Sequence, residues 1–138
     1  MRIERFEDIK AWQEARALAK MVYEVVKTDK PFSCDFRFRD QIQSATVSIM
    51  SNIAEGFSRR SDKEFIQFLF ISKASAAEVQ SQLYVALDQS YISQKKFTEL
   101  YAKTDEVAKL ISGLISYLLH SKEKPKQLNG SKRLNKPN

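Results

Sequence analysis

The stretch Ser48-Ile49-Met50-Ser51-Asn52-Ile53-Ala54-Glu55-Gly56 places an amide and a carboxylate, Asn52 and Glu55, in an otherwise apolar or small-residue run. An amide both donates and accepts hydrogen bonds, and a carboxylate accepts several, so the pair suits contact with a ligand or with RNA. The same residues have a structural use. Small side chains let two helices approach closely, while Asn52 and Glu55 satisfy buried donors. A second set suits phosphate chemistry: Arg37 and Arg39 precede the stretch, and Arg59 and Arg60 follow it. Asp35, Asp40 and Asp62 stand close by, so ordinary solvated charge is the competing explanation.

Catalytic chemistry lacks its parts. A di-iron bundle needs inward Glu-x-x-His pairs, and the only histidine, His120, has Tyr117 three residues before it. One His and one Cys, Cys34, cannot build a zinc site within one chain. There is no glycine-rich phosphate loop and no nucleophile with a histidine base in plausible reach. The expectation is a non-enzyme with no catalytic residue, metal or cofactor.

The charge is unevenly spread. Of 23 basic and 17 acidic residues, positions 122–138 hold six cations, including Lys132 and Arg133, against Glu123 alone. The remaining 121 residues are nearly neutral, so the basicity belongs to the C-terminal end. That end carries Pro125, Gly130 and Pro137 and too few apolar residues to offset its ordering entropy, and it reads as a disordered basic tail. Residues 1–121 form one domain. The charged N-terminus lacks the apolar run of a signal peptide, and no uncharged stretch is long enough to span a bilayer. With a single cysteine, a cytoplasmic protein without membrane contact is expected.

Four helices are needed to position these residues. Ile9, Trp12, Ala15, Leu18, Ala19, Val22 and Val26 recur at helical spacing, with Glu7 and Asp8 in the opening turn and a stop near Thr28. A second helix runs from about Phe38 to Gly56, its stripe Ile42, Ala45, Ile49 and Ile53, with Gly56 as the C-terminal stop. Ser61 opens a capping box with Glu64, and Ser93 reads as an N-cap flanked by Ile92 and Phe97. These bound a third helix over 62–90 and a fourth over 94–120. Phe65, Leu69, Ser72, Ala76, Val79, Leu83, Ala86 and Ser90 alternate steps of four and three. Phe97, Leu100, Thr104, Val107, Ile111, Leu114 and Leu118 do so as well. That period is the pattern of left-handed bundle packing, and short linkers make neighbours antiparallel. The fold class is therefore all-α, an up-down-up-down four-helix bundle. Trp12, Tyr23, Phe65, Phe68 and Tyr84 are read as core. Phe65 to Ile71 and Leu114 to Leu119 are apolar around most of the helix, which predicts a second burial partner, a copy of the chain itself.

These residues also carry a family resemblance. Ser48-Ile49 with Ser51 to Gly56 resembles the signature of the 23S rRNA-intervening-sequence proteins, with Met50 where many members have proline. Ala11 to Ala15 around Trp12, with Val22-Tyr23, resembles that family's first helix. Glu64-Phe65, Phe68-Leu69, Ser75, Glu78, Gln82-Leu83 and Tyr91-Ile92 resemble its third helix and following turn, with Ala74 where glycine is common. The likeness spans about residues 5–119. It implies a structural role for Trp12, Ser48, Asn52, Glu55, Gly56 and Glu78, and a homo-oligomer, often a pentameric ring. A distant relative, the accessory variability determinant of diversity-generating retroelements, works with a reverse transcriptase and binds nucleic acid through basic surface. The implied partners are the chain itself and RNA or a nucleic-acid-processing protein. Arg37, Arg39, Arg59, Arg60, Lys132 and Arg133 are the candidate contacts. A protein-interaction scaffold without nucleic acid is the alternative.

Overall fold

The computed structural model describes residues 3–121, all of whose regular structure is helical. The candidate residues Lys132 and Arg133, and the whole basic tail, lie outside the described residues. A 3-10 turn, Phe6–Asp8, leads into α1 (Lys10–Thr28), α2 (Lys30–Cys34), α3 (Phe36–Phe57), α4 (Asp62–Asp88) and α5 (Gln94–Leu119). The four long helices form the expected bundle. Neighbours run α1–α3–α4–α5 and back to α1, so α1 and α4 lie diagonally opposite, as do α3 and α5.

Local chemistry sets the helix limits. Glu7 and Asp8 do not open α1; Asp8 turns back to accept from the Glu4 and Arg5 amides, both at 3.2 Å, and closes the preceding turn. The chain then breaks at Asp29, whose carboxylate accepts from the Phe32 amide and caps α2, with Pro31 in its first turn. Asp35 caps α3 in the same way at Phe38, so α3 begins two residues earlier than its apolar stripe suggests. Ser61 and Ser93 cap α4 and α5 as expected, accepting from Glu64 and Lys96.

The core follows the two predicted seams with local exceptions. Phe65, Leu69, Ser72, Ala76, Val79, Leu83 and Ala86 are buried, while Ser90 lies beyond α4 with φ of 62° and is exposed. On α5, Ile115 rather than Leu114 is buried between Ile111 and Leu118, a one-residue difference at that single position. The expectation for the aromatics is corrected in part. Phe65 is fully buried, Phe68 and Trp12 are half-buried, and Tyr23 and Tyr84 are exposed. Trp12 instead closes the bundle end, edge-on to Phe6 at 5.1 Å with the Arg16 guanidinium against its ring. At the opposite end Phe32, Phe38 and Tyr91 stack together, and the Tyr91 hydroxyl donates to Asp35 at 2.6 Å.

Candidate functional site

One side of the Ser48–Gly56 stretch faces α4, and there Ser48 and Asn52 spend their polar groups on a shared network. Ser48 Oγ lies 3.0 Å from Ser75 Oγ across the seam, and Asn52 Nδ2 donates to Ser48 Oγ at 3.0 Å and to the Ser48 carbonyl at 2.8 Å. One turn away Ser72 Oγ donates to the Ile49 carbonyl at 2.6 Å. These hydroxyls are short enough to leave the two backbones close together, as small residues at a helix crossing do. Gly56 takes the approach further. It does not stop the helix, since α3 continues to Phe57 and no glycine in the described residues has positive φ. It is buried, and a Cβ there would lie 2.7 Å from Phe68 Cβ and 2.9 Å from Phe65 Cδ1. The glycine is required by packing, not by backbone conformation.

The polar residues along α3 divide between two faces. Ser48, Asn52 and Gly56 belong to the α3–α4 seam, while Gln41, Ser44 and Glu55 are exposed. Glu55 does not reach a buried donor. Glu78, on the outer side of α4, is exposed and accepts from Gln82 Nε2 at 3.2 Å.

The arginines occupy the two ends of α3. Twenty-two residues at 1.5 Å each separate those ends by about 33 Å, so they form two sites and not one. At the N-terminal end Arg37 is exposed and Arg39 is half-buried. Arg39 is held in place: Nη1 donates to the Ser33 carbonyl at 3.0 Å, Nε donates to Asp40 at 3.1 Å, and the guanidinium lies 4.9 Å from the Phe36 ring centroid. At the C-terminal end Arg60 is exposed and the Arg59 guanidinium lies over Phe68 at 4.9 Å. The helices alternate in direction, so α3 ends beside the start of α4 and the last turn of α5. Arg59 and Arg60 thus share an end of the bundle with Ser121.

Two further surfaces matter. Ile66, Gln67, Phe70, Leu118 and Leu119, with Asp62 and Lys63 at one end, line a mainly apolar groove of about 470 Å³ on the outer face of α4 and α5. Phe70 is 52% exposed and Leu119 48%. On the α1–α3 face, Tyr23, Asp40, Gln43, Ser44 and Val47 line a shallower, more polar depression. Phe36 was missed as a surface residue by the sequence reading. The alternation Phe36-Arg37-Phe38-Arg39 was the available signal, aromatic rings interleaved with cations.

Among the described residues no group of three or more His, Cys, Asp and Glu side chains could hold a metal ion. No helix there is long and apolar enough to cross a membrane.

The crystal structure of a protein of unknown function from the S23 ribosomal protein family of Bacteroides thetaiotaomicron is similar in fold, with a TM-score of 0.71 at 23% identity. The match covers 77% of this chain and 95% of that one. No curated protein matches the sequence. A family model described as 23S rRNA-intervening sequence protein matches residues 7–113, the span that holds α1, the Ser48–Gly56 stretch and most of α5. The chain belongs to the 23S rRNA-intervening sequence protein family.

Proposed function

We propose that the chain is a non-enzymatic module that assembles with itself and associates with RNA in the cytoplasm. One observation carries the RNA reading: Arg59 and Arg60 lie at the end of the bundle from which the basic chain beyond Ser121 continues. Arg59 and Arg60 mark that pole, the sequence after Ser121 adds six cations against one anion, and each phosphate contact releases counterions. In an oligomer the pole repeats, and repetition multiplies contacts that are weak alone.

Self-assembly is supported by the apolar groove between α4 and α5, with Phe70, Ile71, Tyr117 and Leu119 around it exposed. The α1–α3 face, with exposed Tyr23 and Val47, lies on the opposite side of the bundle. Two different patches suit a head-to-tail contact more than a two-fold contact of one patch with itself, and such a contact gives a ring, such as a pentamer, when the rotation between subunits closes.

A scaffold that binds only protein is favoured by a different observation. Residues 1–121 carry 17 basic and 16 acidic side chains, so the bundle alone offers little net attraction to phosphate. Filter binding of a structured RNA to the full-length chain and to a chain ending at Ser121 separates the two readings. RNA association requires binding at low salt that weakens sharply on truncation. Absence of binding by the full-length chain at low salt leaves the scaffold.

A further inference from the structure

Phe36 is the most exposed large hydrophobic residue in the described chain, at 63%. An aromatic ring left in water at the first turn of a long helix serves neither the core nor the cap, which Asp35 supplies. Its surroundings are ordered. Arg39 covers part of the ring from 4.9 Å, and its own position is fixed by donation to the Ser33 carbonyl and to Asp40. Arg37, beside it in the sequence, is exposed at the same helix end. The neighbouring carboxylates are engaged: Asp35 accepts from the Phe38 amide and the Tyr91 hydroxyl, and Asp40 pairs with Arg39.

We infer that Phe36 is a stacking platform for an unpaired nucleobase, with Arg37 placed for the adjoining phosphate. The inference rests on the RNA association proposed above and adds to it a preference for unpaired nucleotides. A ring with a guanidinium held against it and most of its surface in solvent presents what a base requires: a flat apolar face, pre-oriented, with positive charge nearby. Stacking is blind to sequence because every base has such a face, and it excludes duplex RNA, whose bases are already stacked. The site lies about 33 Å along α3 from Arg59 and Arg60, so the two contacts act on different parts of one RNA or on different rims of an assembly.

The test compares a short oligoadenylate with a blunt RNA duplex of the same length, using the full-length chain and its Phe36→Ala and Phe36→Trp variants. Phe36→Ala is expected to weaken oligoadenylate binding roughly tenfold or more and leave duplex binding unchanged. Phe36→Trp should bind oligoadenylate at least as well as the parent. Because Phe36 is exposed, the variants should keep the parent's thermal midpoint and helical spectrum, and light scattering should give the parent's mass. Equal binding of oligoadenylate by Phe36→Ala and parent overturns the platform while leaving the tail-driven association in place. A changed mass with unchanged RNA binding also overturns it and assigns Phe36 to a subunit contact. Failure of the parent to bind either RNA overturns both proposals.

Discussion

Gly56 sits so close to Phe68 that a Cβ on the glycine would lie 2.7 Å from the phenylalanine Cβ. That spacing defines where α3 crosses α4, and the atom opposed is one that cannot swing aside without moving its backbone. Gly56→Ala gains about 1 kcal/mol of helix propensity and must then separate the helices, an overpacking cost of about 1–3 kcal/mol. The predicted outcome is a net loss of up to about 2 kcal/mol, read as a lower urea midpoint. A midpoint above the parent's would mean the crossing is looser than this geometry.

The hydroxyl pair Ser48 and Ser75 forms the next contact along the same seam. Ser48→Ala and Ser75→Ala should each cost about 1 kcal/mol. Because the two share one hydrogen bond, the double variant should cost less than the sum, with a coupling of about 0.5 kcal/mol or more. Strict additivity in denaturant titrations would show that the bond contributes nothing to the register.

Much of this architecture is legible in the sequence, for physical reasons that also explain the exceptions. The seams of α4 and α5 follow from their 3.5-residue period, and Ser61 and Ser93 announce their caps. Gly56 misleads because a glycine near a helix end has two uses, left-handed backbone and close approach, and only the partner helix distinguishes them. Glu7 and Asp8 mislead similarly: acids suit a helix start, but Asp8 is consumed by the amides of Glu4 and Arg5. Tyr23 and Tyr84 keep helical spacing with the core yet point outward, because periodicity fixes a stripe only to within one residue on either side. The Asp29 and Asp35 caps, which create α2 and lengthen α3 to include Phe36, depend on side-chain bonds that a pattern of apolar residues does not reveal.

Across α1 and α5, Glu14 is gripped by Lys103 and Lys10. The lysine hydrogen bonds hold its carboxyl below the ordinary value of 4.5, with Lys103 first among them. The stabilisation is therefore fully present above pH 4.5 and is lost as the pH falls through the lowered native value. Lys103 is raised by its bond to Glu14, so its share is present below 10.5 and is lost as the pH rises through the raised native value. Glu14→Gln should lower the thermal midpoint at neutral pH, and the difference from the parent should shrink in acid well below pH 4.5. A pH-independent difference would assign the effect to packing.

Assembly through the α4–α5 groove makes a prediction about mass. The parent should scatter light as a multiple of 16.0 kDa at micromolar concentration. Phe70→Glu combined with Leu119→Glu should return it to the single-chain mass while keeping its helical spectrum, since both residues are half-exposed. A single-chain mass for the parent removes the self-assembly reading altogether.

The proposed RNA association uses Arg59 and Arg60, at the bundle end that holds Ser121, together with the six cations of positions 122–138. Filter binding of a single-stranded RNA over a range of salt concentrations tests it most directly. The six cations of positions 122–138 predict a log–log slope steeper by up to about 4 for the full-length chain than for a chain ending at Ser121, which keeps only the small slope of Arg59 and Arg60. A slope that is the same for both chains, or no binding at low salt, would contradict the account.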